Sequence, residues 1–156
     1  MKRAFTMIEL IFVIVIIGIL SVIALPKLSA TRTDAKVSTI VSSLREFVIE
    51  SSAFYTSKGE TEWQNANITD ITNIPIFTNE DCSNQADSST GIIGNSLYIC
   101  NDDKYVIKLD ANKTHLKVAK NSNNNSLIAQ GVYNNKAFKA LNINSGIRLS
   151  GVGIKR

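Results

Sequence analysis

From Leu10 to Leu25 the chain carries no charged side chain, and a single carboxylate, Glu9, stands at the edge of that run. The run is built of Leu, Ile, Phe, Val and Ala with one Gly and one Ser. Counted from Phe5 to Leu25 it is 21 residues, about 31 Å as a helix and close to the thickness of one bilayer core. Lys2 and Arg3 precede it and belong on the cytoplasmic side by the positive-inside rule. A carboxylate near hydrocarbon costs roughly 2.5–3.5 kcal/mol on insertion scales, so Glu9 needs a partner. Two simpler readings exist. One is a secretory signal peptide, whose small-residue cleavage site would be Leu28-Ser29-Ala30, although Leu28 is large and Lys27 intrudes. The other is a plain membrane anchor. Neither gives Glu9 a role.

The stretch Ala4-Phe5-Thr6-Met7-Ile8-Glu9-Leu10-Ile11, continued by Val13 to Leu20 with Gly18 and closed by Ile23-Ala24-Leu25-Pro26, resembles the type IV prepilin signature shared by type IV pilins and by the pseudopilins of type II secretion and DNA uptake. The resemblance covers about the first 30 residues, with Phe, Glu, Gly and Pro all in register. It implies that prepilin peptidase cuts between Ala4 and Phe5 and methylates the new Phe5 amine. That family usually has glycine before the cut. Here it is Ala4, which is small. The resemblance also gives Glu9 its partner. One turn separates it from Phe5 within a helix, and in a filament it can instead meet the Phe5 amine of a neighbouring copy. Either pairing offsets desolvation, because breaking a buried ion pair costs about 3–5 kcal/mol. Glu9 and Pro26 are thus the expected assembly residues. Pro26 removes a backbone donor and predicts a kink in a helix that continues beyond it.

Beyond Pro26, apolar residues recur at Val37, Ile40, Val41, Leu44, Phe47, Val48 and Tyr55, the spacing of one helical face, with Ser38, Ser42, Ser43, Arg45, Glu46 and Glu50 on the other. Lys58 followed by Gly59 predicts the helix stop. The expected organisation is a cleaved leader at 1–4, a transmembrane assembly helix at 5–26, an amphipathic stem helix at 27–58 and a globular domain at 60–156. In that domain the runs 97–100 and 105–109 flank Asn101-Asp102-Asp103-Lys104, which reads as a hairpin turn. Further strands are predicted at 115–119, 127–133, 137–143 and 147–152, separated by Asn, Ser and Gly turn signals. Residues 60–96 read as an irregular segment with a short helix near Trp63. The predicted fold class is α+β: a long N-terminal helix packed on a small antiparallel sheet, the pilin fold.

The two cysteines, Cys82 and Cys100, read as a disulfide, because the N-terminus implies export to an oxidising compartment. Two free buried thiols are the alternative. Neither a metal site nor a cofactor is expected, since His115 is the only histidine and nothing has ligand spacing. His115 is expected on the sheet surface. Asp102 and Asp103 could at most hold calcium weakly. Residues 144–156 contain no acidic residue, unlike the C-terminal calcium loop of major type II pseudopilins. No Ser/His/Asp or Cys/His grouping supports an enzyme.

Charge is segregated along the chain. Residues 46–103 hold ten acidic side chains and one basic, Lys58, whereas residues 104–156 hold ten basic and one acidic, Asp110. Three readings follow: an acidic loop lying on a basic sheet within one molecule, an acidic flank meeting the basic flank of the next subunit, or a basic surface open to DNA. Tyr105, Tyr133 and Phe138 could stack on bases, but aromatics in strands more often pack in cores. The function expected is a structural subunit of a type IV pilus-like filament, partnered by prepilin peptidase, by copies of itself or related pilins, and by the inner membrane. The alternatives are a DNA-binding competence pilin and a single-span anchored periplasmic protein.

Overall fold

The computed structural model describes residues 6–141 and 146–149, and the side chains of all of these except Leu25 and Pro26. Its first element is one long helix, α1 (Met7–Lys58), which continues through position 26. It ends where the sequence predicts. Gly59 takes φ +87°, a left-handed conformation that glycine adopts without steric penalty, and its N–H donates to Tyr55 O at 2.9 Å. Gly59 O then accepts from Trp63 N at 3.1 Å and starts α2 (Glu60–Asn65), the short helix expected near Trp63. A one-turn α3 (Ile68–Ile71) follows, with a capping box between Asn67 and Asp70.

The chain divides into two compact units, one ending at Ala35 and the other beginning at Lys36. The described part of the first is largely exposed helix, uncharged apart from Glu9 up to Leu25 and more polar from Lys27 onward. The second holds the core. The stem stripe is buried as its spacing predicts: Ile40, Val41, Leu44, Phe47, Val48 and Tyr55 are all below a tenth exposed, and Val37 is half-buried. These side chains form one cluster with the inner face of a four-stranded antiparallel sheet in the order β1 (Ser96–Asn101), β2 (Lys104–Ala111), β3 (His115–Lys120), β4 (Ile147–Arg148). Leu97, Ile107, Leu109, Leu116 and Val118 supply the sheet side. The hairpin turn falls at Asp102-Asp103, with Asp102 at φ +54° and its carboxylate 3.1 Å from Lys36 Nζ on α1. Asparagine and aspartate are the non-glycine residues best suited to that conformation.

Two predicted strands are helices instead. Residues 127–133 lie in α4 (Leu127–Asn134) and residues 137–141 in α5 (Lys136–Leu141). The remainder of the predicted strand 137–143, and residues 150–152 of that at 147–152, lie outside the described residues; of the latter, Ile147–Arg148 form β4 and Leu149 follows it, buried. The physical reason for the first correction is local. Ser126 Oγ accepts from Ala129 N at 3.2 Å, an N-cap that starts a helix. Ala129 and Val132 then share one buried face at a spacing of three, and Phe138 of α5 is buried beside it. Just before the cap, Asn121 and Asn124 are buried and both donate through Nδ2 to Tyr105 O at 3.0 Å. The Tyr133 hydroxyl lies 2.9 Å from Val106 O and 3.1 Å from Asn121 O, fastening α4 to the end of β2 and β3. Burial pushes the Tyr133 phenol above its ordinary range.

Residues 76–86 fold against the outer edge of β1, while Ile93 bridges Ala111 at the end of β2. Phe77 exchanges both backbone hydrogen bonds with Tyr98, at 2.9 and 2.8 Å, and bridges Gln85 on its other side. Cys82 and Cys100 form a disulfide that ties this segment to β1.

Candidate assembly site at the start of the long helix

The predicted site residues fall into two groups. Ala4 and Phe5 lie outside the described residues, and Pro26 lies within α1. Glu9 lies in the first turn of α1. It occupies the third position of α1 and Thr6 occupies the cap. Thr6 N donates to Glu9 Oε2 at 2.8 Å, Thr6 Oγ1 donates to the same oxygen at 2.7 Å, and Glu9 N lies 3.4 Å from Thr6 Oγ1. This is a capping box. It satisfies backbone donors that a helix start otherwise leaves open and places a negative charge where the helix dipole favours it. Among the described residues nothing bonds to Oε1, so half the carboxylate remains available to a further donor. Sequence reasoning assigned Glu9 but passed over Thr6, although Thr-x-x-Glu is the sequence signature of that motif.

Around Glu9 the helix is apolar and uncovered. Met7 is 82 % exposed, Phe12 68 % and Ile16, the most sheltered of the large apolar residues there, 42 %. α1 contains the one span among the described residues that is long and apolar enough to cross a bilayer. An apolar surface of this extent on a monomer marks a membrane or partner contact. Ser21 breaks the apolar composition only superficially, since its hydroxyl donates back to Ile17 O at 2.8 Å.

The remaining sequence candidates serve structure. Tyr105 packs on Tyr98 with ring centres 4.8 Å apart, and Tyr133 on Phe138 at 5.5 Å, with Phe138 fully buried. These rings are packing elements, as expected for aromatics in a small domain. His115 Nδ1 lies 2.7 Å from Thr114 Oγ1, and its side chain is half-buried. Asp102 is engaged by Lys36 and by Asn101 Nδ2. The described residues form two ion pairs, Lys36–Asp102 and Lys108–Asp110. Neither joins the acidic stretch 46–103 to the basic stretch 104–156.

A long helix with an uncovered apolar N-terminal half, whose stem packs on a small antiparallel sheet, defines a pilin-like architecture with a candidate membrane anchor. Residues 1–25 match the family model described as the prokaryotic N-terminal methylation motif, the signature of type IV prepilins and pseudopilins. The chain carries that signature, which implies processing by prepilin peptidase and assembly with other pilin-type subunits. No curated protein and no solved structure matches the chain.

Proposed function

We propose that the chain is a structural, non-catalytic subunit of a type IV pilus-like filament, of the kind that serves type II secretion, adhesion and motility, or DNA uptake. The observation that carries this reading is Glu9: a lone carboxylate at the head of an uncovered apolar helix, within the methylation motif, with one oxygen bonded to Thr6 and the other without a bond among the described residues. In this reading prepilin peptidase removes residues 1–4 and methylates Phe5. Residues 5–26 lie in the inner membrane, residues 27–58 form the stem, and residues 60–156 stand in the periplasm or outside the cell. On assembly, the Phe5 amine of one copy meets Glu9 of another, which fixes the axial step between subunits. The apolar halves of α1 bundle in the filament interior, removing from lipid or water a surface no part of the described fold covers.

The test has two parts. Mass spectrometry of the mature protein is expected to find N-methylated Phe5 as the first residue, and an intact Met1 would refute processing. Glu9→Ala is expected to leave the protein in the membrane but to abolish most filament incorporation. The amine it strands is worth about 3–5 kcal/mol, a loss of at least a hundredfold in the assembly equilibrium. Normal incorporation of Glu9→Ala would overturn the role given to the carboxylate.

A further inference from the structure

We propose that successive copies of this chain also dock sheet edge to sheet edge, the acidic flank beyond β1 of one copy against the basic β3–β4 flank of the next. The inference rests on the filament reading and names a contact within it that the N-terminal helix does not supply.

The topology sorts the charges in space as well as in sequence. Glu80, Asp81 and Asp87 lie in the segment that Phe77 pairs to β1, and all three are exposed. Lys117 and Lys120 on β3 and Arg148 on β4 are exposed at the other side of the sheet. Four strand spacings, Gln85 to Phe77 to β1 to β2 to β3, separate the strand next to Asp87 from the basic flank, whereas Glu80, whose carbonyl accepts from Tyr105 N of β2 at 3.4 Å, is two spacings from β3. At about 4.8 Å each these are roughly 19 Å and 10 Å. Both exceed the Debye length of about 8 Å at physiological salt, so the two sets are largely screened from one another. Neither set has an ion-pair partner among the described residues. Each flank therefore keeps its field for an external partner, and each is the complement of the other. Because the two patches differ, the contact is heterologous. It repeats along a filament instead of closing into a two-fold dimer. A second copy explains both flanks, whereas a nucleic acid would use the basic one and be repelled by the other.

The disulfide makes the acidic flank firm enough to serve. Cys82 sits at φ +60° between Asp81 and Ser83, and its bond to Cys100 holds the turn on the sheet. Asp81 and Asp87 are further set by their own turns, Asp81 Oδ1 accepting from Ser83 Oγ at 3.0 Å and Asp87 Oδ1 from Ser89 Oγ at 2.7 Å.

The experiment uses the full chain in its membrane, with a benzophenone side chain in place of exposed Ser88 and, as a control, one in place of Ile14 on the apolar helix. The Ser88 probe is expected to capture residues 113–120 of a second, isotopically distinct copy. Capture should fall about tenfold in E80K/D81K alone and in K117E/K120E alone, as like charges are brought together. It should return when the two variants are expressed together, since one then offers two basic flanks and the other two acidic ones. In the native chain it should weaken with rising salt while Ile14 capture persists. Capture at Ser88 that ignores both reversals, that finds no β3 peptide, or that fails to return in the mixture overturns the edge contact and leaves the filament reading intact. Failure of the Ile14 probe to find a second copy removes the filament reading and the edge contact with it. If a reversal abolishes capture at both probes, the native salt series decides: a flat Ser88 response refutes the proposal.

Discussion

Gly131 lies in the middle of α4, where glycine costs a helix about 1 kcal/mol relative to alanine. Packing explains why it is there. A Cβ at position 131 would stand 2.6 Å from Val37 Cγ2 and 3.5 Å from Val37 Cγ1. The first distance is about 1 Å inside van der Waals contact, and Val37 is a β-branched residue in a helix, with one strongly preferred χ1. Relief requires an off-rotamer valine or a displaced α4, at about 1–3 kcal/mol for overpacking. Set against the gain in helix propensity, Gly131→Ala should destabilise by about 1 kcal/mol, or about 4 °C in Tm for a unit of this size. Val37→Ala removes the obstructing methyls. In that background the clash disappears and the propensity term remains, so the same Gly131→Ala change should stabilise by up to about 1 kcal/mol. The assay is denaturant and thermal unfolding of the four members of the cycle in detergent, read by circular dichroism, with the coupling energy taken from the difference. A Gly131→Ala chain more stable than the parent, or an unchanged effect after Val37→Ala, would show that the contact between α4 and α1 is not what selects glycine.

Replacing Cys82 and Cys100 with serine opens a loop with a sequence separation of 18 residues and should lower stability by about 3 kcal/mol in the chain-entropy model, measured as a lowered denaturant midpoint under oxidising conditions and no difference from the parent under reducing ones. Tyr133→Phe deletes the hydroxyl that bonds Val106 O and Asn121 and should cost about 1 kcal/mol, with protection of the Asn121 amide from hydrogen exchange reduced. Hydrogen bonds from the Ser89 hydroxyl and backbone, and from the Thr90 hydroxyl, hold the Asp87 carboxyl below the ordinary aspartate range. The ionised form is therefore favoured by folding. Its contribution is complete above the unfolded-state value of about 3.9, is lost as pH falls through the lower folded one, and should be missing from the acid limb of the denaturation profile in Asp87→Asn.

The parts of the fold that were legible in the sequence are those where one signal faced no competitor. The stem stripe from Val37 to Tyr55 has a 3.6-residue period over several turns and meets the core as read. Lys58-Gly59 ends the helix because only the glycine takes the required φ without strain, and Asn101-Asp102-Asp103-Lys104 turns the hairpin at the residue best suited to a positive φ. Residues 127–138 misled for a physical reason. Ile128, Val132, Tyr133 and Phe138 have strand-like composition, and Gly131 lowers helix propensity. The Ser126 cap starts the helix and the close approach of Gly131 to Val37, nearly a hundred positions away, accommodates the glycine; the cap is a local signal that was passed over, and the approach to Val37 is one that no local pattern carries. At the candidate assembly site Glu9 stood out because a charge in an apolar run has to be explained. Thr6 did not, because a threonine before a helix is ordinary until its spacing to the glutamate is read as a cap.

The bridge between Cys82 and Cys100 has a consequence for timing. Thiols stay reduced on the cytoplasmic side of the membrane and oxidise beyond it. Reduced, the negative turn at positions 80–87 would be held to the sheet by backbone bonds alone, Phe77 with Tyr98 and Tyr105 N with Glu80 O; oxidised, it is stapled in place. On the filament and edge-contact readings proposed above, the mating surface would be finished only where the bridge can form, and oxidation would serve as a maturation step.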